Sequence, residues 1–385
     1  MMNNIENKTI AIIGGGPGGL TLARLLQMKG AKVTVYERDA HKDARPKGAT
    51  LDLHEESGLL ALQEAGLMDA FNASYRPGAD MLRIIDKHGT ILLDDAENPR
   101  LETIRPEIDR GPLQNLLLDS LTPGTVIWDS QFVSISPMNE GWRIEFKNGK
   151  KVFSDIVIAA DGANSRLRPY LTDIKPFYAG VTGIEGYVND SASAIPKMHK
   201  LLNGGKIFAM GDEKTLIVSS KGDGSLVFYT GCKTDEFWSK TAGIDFTKKA
   251  EVLAWFKQEY AGWEDIWLDL FENASGNFIP RPIYSMPIDQ TWKSKGNITL
   301  LGDAAHLMPP YAGEGVNMAM LDALELSKNL TSQDHPDLIS AIESYETQMR
   351  SRASEAADMS LKSTELLHSS NAISFMMSVV GYGNH

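Results

Sequence analysis

Residues Thr9 to Arg38 read TIAIIGGGPGGLTLARLLQMKGAKVTVYER, and the order of strand, glycines, helix, strand and acid within them decides the fold. Ile10 to Ile13 form a short β-branched run suited to a strand buried on both faces. Gly14, Gly16 and Gly19 then fill the spacing Gly-x-Gly-x-x-Gly, with Pro17 and Gly18 completing the turn. In such a turn the first glycine permits the tight bend and the second lets the backbone approach a pyrophosphate. The third brings the following helix close to the strand. Leu20, Leu22, Ala23, Leu25 and Leu26 give that helix an apolar face, and Lys29-Gly30 ends it. Val33 to Tyr36 is a second strand, followed by Glu37 and Arg38. A carboxylate about 20 residues beyond the glycines is placed to accept the two ribose hydroxyls of an adenosine. The stretch therefore predicts a site for an adenine dinucleotide.

The rest of the composition narrows the choices. A chain of 385 residues has room for two or three domains and a large core. The 50 acidic residues outnumber the 38 basic ones, giving a formal charge of −12, which argues against nucleic acid as a partner. A single cysteine, Cys232, excludes an internal disulfide framework, a thiolate zinc site and a dithiol redox pair, and it reads as a small buried residue. The polar N-terminus has no apolar segment of signal-peptide length, and no apolar run reaches the roughly 18 residues of a membrane span. A cytoplasmic monomer that contacts no membrane is the expectation.

Beyond Glu37 the pattern alternates between two styles. Glu55 to Ala65 reads as a helix stopped by Gly66, and Arg110 leads the leucine-rich helix GPLQNLLLDSL. Ile156 to Ala160 and Ile298 to Leu301 are continuous apolar strands like the first. Between them, Ala79 to Leu93 reads as a hairpin, and Gly180 to Trp292 breaks into short alternating strands such as KIFAM, TLIVSS and SLVFYTG. The predicted architecture is α/β: a doubly wound nucleotide domain with a central parallel sheet, interleaved with an antiparallel-sheet substrate domain. Val316 to Leu330 and Asp337 to Lys362 follow as long helices, and the tail FMMSVV reads as the packed end of a last helix. The nucleotide domain is expected over 1–75, 100–178 and 293–330, the second domain over 76–99 and 179–292, and a C-terminal helical segment over 331–385.

Two further constellations carry chemistry. Asp161-Gly162-Ala163-Asn164-Ser165-Arg166-Leu167-Arg168 follows an apolar strand, where ligands of open α/β sheets bind. Its aspartate can orient the loop, and its arginines can meet phosphate. Leu300 to Asn317, LLGDAAHLMPPYAGEGVN, ends a buried strand at Gly302 and offers Asp303 to a polyol. It then passes through Pro309, Pro310 and Gly313 into a helix beginning near Gly315, whose free N–H groups suit an anion or a ring that becomes anionic on reduction. His306 reads as a satisfied histidine beside the strand, not as a base.

These three motifs, in this order and spacing, resemble the signatures of the single-component FAD-dependent aromatic hydroxylases, the group A flavin monooxygenases. Within that family the chain is most similar to the tetracycline-inactivating monooxygenases, through YERDAHKDARPKGATLDLH, GDAAHLMPPYAGEGVN and WKSK. The resemblance implies that the dinucleotide is FAD, with NADPH or NADH as a transient reductant and O2 as co-substrate. It implies that Glu37 holds the adenosine ribose, Arg110 contacts the flavin side chain, Asp303 binds the ribityl, and Gly315, Val316 and Asn317 face the isoalloxazine. Arg45 is implied near the flavin, steering the nicotinamide. Glu185, Pro309 and Gly313 are implied as walls of the substrate site. The family's reaction hydroxylates a phenolic or polyketide-like molecule through a flavin C4a-hydroperoxide, tetracyclines among them. A non-oxygenating flavin dehydrogenase or reductase, or an FAD-binding protein without turnover, shares the same motifs. The chain departs from the tetracycline enzymes in the substrate domain, where it has Glu185 in GIEGYV in place of their glutamine and no histidine between His199 and His306. The lack of a second Gly-x-Gly-x-x-Gly after a strand leaves the nicotinamide without a dedicated fold.

Overall fold

The computed structural model describes residues 5–44, 48, 50–97 and 105–381. Five parallel strands form the central sheet, in the order Ile298–Leu300, Ile156–Ala159, Thr9–Ile13, Lys32–Tyr36 and Val126–Ile127. The middle strands are buried because helices cover one face and a three-stranded antiparallel sheet, Phe132–Met138, Gly141–Phe146 and Lys151–Ser154, packs on the other, which is why they read as unbroken apolar runs. On one side, helix Pro17–Met28 packs against helix Gly315–Thr331, so the first motif and the last lie side by side although 300 residues of sequence separate them.

A seven-stranded sheet stands above this unit, in the order Ile279–Ser285, Phe177–Val188, Leu226–Lys233, Lys214–Ser220, Lys206–Gly211, Leu82–Asp86 and Ile91–Asp94. Its pairs are antiparallel with one correction to the expected pattern: Lys206–Gly211 runs parallel to Leu82–Asp86. The hairpin Leu82–Asp94 arrives from an earlier part of the chain and joins the edge of the sheet without a tight turn. Nothing local therefore forces the two strands to be antiparallel.

One face of this sheet is sealed. Ile184, Ile207, Leu216, Val218 and Phe228 point into a core with Phe256, Trp267 and Phe271 from the helices behind and Phe278 from the segment before strand Ile279–Ser285. The Phe256 and Phe271 rings stack at 4.0 Å, and each fully buried large side chain contributes about 2–3 kcal/mol. One of these helices spans Lys249 to Glu259. The turn before it is closed by Asp245, which accepts the Thr247 N–H, and by Glu251, which accepts the Asp245 N–H. The opposite face looks back toward the central sheet, and the site lies there.

The C-terminal part is one 30-residue helix, Leu338–Leu367, then a short helix, Ala372–Val379. The long helix begins at a capping box between Asp337 and Ser340. The short one packs Ala372 and Met376 on Leu82, Ile84, Leu93 and Met210 of the upper sheet, so FMMSVV is the packed end of a last helix, as read from sequence.

Candidate functional site

The glycine turn divides its labour by contact. Gly14 has φ +114°, and a Cβ there would lie 2.2 Å from the Ala160 carbonyl oxygen. A Cβ on Gly19 would meet the Gly14 carbonyl at 2.2 Å, and one on Gly18 would meet the Ala319 carbonyl and Leu301 at 2.8 Å. These glycines are packing requirements between helix, strand and the last motif. Gly16 is different: a Cβ there would meet nothing within 4 Å. Gly16 is also the N-cap of the helix and has no side chain to cap it, so the N–H groups of the first turn are free to meet an anion.

Glu37 is buried and reaches back to this turn. Its Oε2 accepts the Gly15 N–H at 2.6 Å and its Oε1 the Asp39 N–H at 3.0 Å. The carboxylate is thereby fixed at the rim of the glycine loop. Arg38 beside it is exposed. Arg45 lies outside the described residues.

The second motif closes on itself. Asp161 Oδ2 accepts the Arg166 N–H at 2.8 Å, while its buried Oδ1 has no partner among the described residues, and burial raises its pKa. Gly162 beside it has φ +79°. Arg168 corrects the expectation that both arginines could meet phosphate. It is buried, and it donates to the carbonyls of Ala304 at 2.7 Å, Asp303 at 2.8 Å and Ala163 at 3.2 Å. Arg168 is a clamp between the second and third motifs, whereas Arg166 is exposed.

In the third motif Gly302 takes φ +58°, and a Cβ would lie 2.9 Å from Ala319 on the neighbouring helix. Its N–H donates to Asp322 Oδ2 at 3.0 Å, and the same oxygen meets His306 Nε2 at 2.5 Å. Burial pulls the His306 pKa down, but Asp322 outweighs it and the net shift is upward. His306 is buried beside the strand as its sequence position suggested, but it is only half satisfied: Nε2 is held by Asp322, while the buried Nδ1 has no partner among the described residues. Asp322, which holds both, was not singled out from the sequence, although it is a lone acid on an apolar helix face.

Asp303 is the converse case. Its carboxylate has no hydrogen-bond partner among the described residues, and burial raises its pKa against the pull of His306, Arg110 and Arg168. Arg110, at the start of helix Arg110–Asp119, is thus within charge range of Asp303.

Helix Gly315–Thr331 begins after Gly313, which has φ +70° and faces the Asp52 carboxylate, and its N-terminus carries no side-chain cap. Gly315 and Val316 form the first turn. Asn317 is fully buried and its amide is committed: Oδ1 accepts the His54 N–H at 2.9 Å, and Nδ2 donates to the carbonyls of Asp52 at 2.9 Å and Gly313 at 3.1 Å. Of these residues, the backbone turn and not the Asn317 amide is left to meet a ligand.

Across the gap, the open face of the upper sheet presents one residue per strand in a single row: Phe208, Ile217, Tyr229 and Glu185. The first three are partly exposed while their sealed-face neighbours are buried. Lys206 at one end of this face meets Glu107, and Thr215 farther along meets Tyr311 and His368. Glu185 is not a bare wall residue. Arg281 Nε donates to it at 2.6 Å and the Tyr187 hydroxyl donates to its other oxygen. Pro309 and Gly313 lie on the loop opposite. Cys232 is buried with its thiol pushed up to about 12 by burial, the small inert residue that was expected.

The three motifs together contribute an open glycine at an uncapped helix start, a half-satisfied Asp161, an unpartnered Asp303 and a second uncapped helix start. N–H donors at the two helix starts and carboxylate acceptors at Asp161 and Asp303 fit a molecule that carries phosphates, hydroxyls and a hydrogen-bonding ring.

Comparison with known proteins agrees with that reading. A family profile described as an FAD binding domain matches residues 7–182 and 289–360. The chain is 29% identical to the monooxygenase asqM of Emericella nidulans over 96% of this chain and 98% of that one. It is 28% identical to the 3-amino-4-hydroxybenzoate 2-monooxygenase PtmB3 of Streptomyces platensis, covering 86% of this chain and 82% of that one. Among solved structures, a protein of Photorhabdus luminescens described as an FAD containing monooxygenase superposes with a TM-score of 0.77 at 28% identity, over 94% and 98% of the two chains. The tetracycline destructase Tet(55) shares the fold, with a TM-score of 0.75 at 20% identity over 100% and 99%.

Proposed function

Because the chain belongs to the FAD binding domain family and is an FAD-dependent monooxygenase, we propose that it hydroxylates a phenolic or polyketide-like small molecule, using NAD(P)H and O2. The balance of the reaction is ordinary: one oxygen atom enters the substrate, the other leaves as water, and the nicotinamide supplies the two electrons. FAD, when bound, supplies the reductive activation of dioxygen.

The chain's own residues hold, orient and shield. Gly16 and the free N–H groups after it receive the pyrophosphate, and Glu37 receives the adenosine ribose. Arg110, Asp161 and Asp303 line the path of the ribityl and phosphates, and the turn Gly313–Val316 receives the ring. The segments 1–75, 100–178 and 293–330 then form the FAD domain, with 76–99 and 179–292 as the substrate domain. The observation that supports the substrate class is the row Phe208, Ile217, Tyr229 and Glu185 on one face of the upper sheet, with Tyr311 of the loop Pro309–Gly313 set against the same face at Gly231. Three apolar or aromatic side chains ending in a buried acceptor suit a planar aromatic molecule with a hydroxyl or amine donor at one edge. The named substrate of PtmB3, an aminohydroxybenzoate, is of this kind, and it supports the reading. Glu185 with Arg281 offers an ion pair where the tetracycline enzymes were expected to have a glutamine, so simple phenols and aminophenols are proposed ahead of tetracyclines.

Among the described residues no helix is long and apolar enough to cross a membrane. A cytoplasmic monomer is the proposed state. The test is NADPH oxidation by the FAD-loaded protein against a panel of phenols, aminophenols, quinones and tetracyclines. A substrate should accelerate oxidation and gain one oxygen by mass; a panel that leaves the rate unchanged would count against the proposed substrate class.

A further inference from the structure

Behind the loop Pro309–Gly313, three polar side chains from three distant parts of the sequence converge on Gly231. Tyr311 comes from the loop, Thr215 from strand Lys214–Ser220, and His368 from the end of the 30-residue helix. A Cβ on Gly231 would lie 2.4 Å from Thr215 Oγ1, 2.5 Å from His368 Nε2 and 2.8 Å from the Tyr311 hydroxyl. No other residue type leaves room for this node. The Tyr311 and His368 rings meet edge to face with centroids 5.0 Å apart.

The direction of the hydrogen bonds follows from the donors available. His368 Nδ1 is 2.7 Å from the Thr364 carbonyl oxygen, which can only accept, so Nδ1 carries the proton. Burial, with the charge of Lys233 nearby, lowers the His368 pKa to about 4, so at neutral pH its Nε2 is a bare acceptor. Thr215 Oγ1 therefore donates to Nε2, at 3.3 Å. Having spent its only proton, the Thr215 oxygen can only accept, and the Tyr311 hydroxyl that converges with it on Gly231 is the donor beside it. Burial raises the Tyr311 pKa, so its phenol stays protonated. The run is one-way: Tyr311 O–H to Thr215 O–H to His368 Nε2, and His368 Nδ1–H to Thr364 O. Tyr260, from the sealed side, holds the carbonyls of Thr215 and Gly231 at 3.1 and 3.2 Å, which keeps the two strands beneath the node rigid.

We propose that this directed run makes Tyr311 a positioning residue, a strut that fixes the loop Pro309–Asn317 above the substrate sheet with the C-terminal helix as its anchor. The strut rests on the reading of that loop as the cradle of the flavin ring. Tyr311 then serves the reaction by geometry and not as an acid, because its proton is directed away from the gap and into Thr215. It joins the flavin cradle, the substrate sheet and the C-terminal helix at one point, so that the ring and the row Phe208–Ile217–Tyr229 keep their spacing.

Thr215→Val removes the hydroxyl at nearly constant volume, Thr215→Ser keeps it, and Tyr311→Phe removes the first donor. Each purified variant is titrated with FAD and followed by flavin fluorescence. Thr215→Val and Tyr311→Phe are each expected to weaken FAD binding about tenfold, as expected for a buried group left without its partner. The double variant should be no weaker than either single, because both remove the same strut. Bound flavin in these variants should fluoresce more strongly than in wild type, a sign of a loosened cradle that a general loss of stability would not produce, and Thr215→Ser should match wild type. If Thr215→Val does not fold, Tyr311→Phe carries the test. Wild-type binding and fluorescence in both single variants, or additive losses in the double, would overturn the strut. Failure of the wild-type chain to take up FAD would overturn the flavin cradle and the strut together.

Discussion

Arg168 donates to the main-chain carbonyl of Asp303 at 2.8 Å, and by this bond the second nucleotide motif holds the third. Its Nε and remaining contacts end on Ala304 and Ala163, so the guanidinium is buried on three carbonyl oxygens. Arg168→Ala should cost about 3 kcal/mol, since it leaves these carbonyls unpartnered in the interior. Arg168→Lys should recover less than half of the loss, because one ammonium cannot reproduce the fork. Urea unfolding of the apoprotein measures both.

The two kinds of glycine in the first turn separate folding from binding. Gly16→Ala has φ −77° and open space to accommodate it, so the apoprotein should unfold within about 0.5 kcal/mol of wild type while FAD affinity falls at least tenfold. Gly19→Ala drives a methyl into the Gly14 carbonyl and should lower stability by about 2 kcal/mol or more whether or not FAD is present. Thermal unfolding with and without FAD distinguishes them.

Asp303 holds a carboxylate that burial makes hard to ionise, with its pKa raised. A raised carboxyl pKa stabilises the fold below the unfolded value and loses that contribution as pH climbs through the folded value. At neutral pH the apoprotein therefore carries the penalty of an ionised, unpartnered group, which ribityl hydroxyl donors would offset. Asp303→Asn should raise the melting temperature of the apoprotein and weaken FAD by roughly tenfold or more. A melting scan paired with an FAD titration reads the two opposite signs.

His368 gives the acid side of the stability profile. Its pKa is about 4 in the fold against 6.5 unfolded, so the unfolded chain binds the proton more readily. The stability this contributes is complete above the unfolded value and is lost as pH falls through the window toward 4. Between pH 7 and pH 5 the loss is about 2 kcal/mol. In His368→Gln the slope of unfolding free energy against pH should flatten by that amount, with the slope from other groups unchanged.

Much of this was legible in residues 9–38, because a buried strand, a glycine turn and a helix are specified by local sterics and a local apolar period. The central sheet and its ends at Ala159 and Leu300 followed from the same signal. The roles of Arg168 and Asn317 were not legible, since motif spacing says that a polar residue is near the ligand and cannot say whether its hydrogen bonds are already spent on the protein. Asp322, Thr215, Gly231 and His368 were missed for a related reason: their partners lie up to 153 residues away, and only the fold brings them together. The parallel pairing of Lys206–Gly211 with Leu82–Asp86 is likewise set by a long connection, which has no signature in the strands themselves.

The most direct test supplies the FAD-loaded protein with NADPH and isotopically heavy dioxygen, together with whichever phenol or aminophenol most accelerates NADPH oxidation. The account predicts a product heavier than the substrate by one labelled oxygen atom, with NADPH consumed in step with product. Conversion without incorporation of the label, or turnover that proceeds equally well without oxygen, would contradict it.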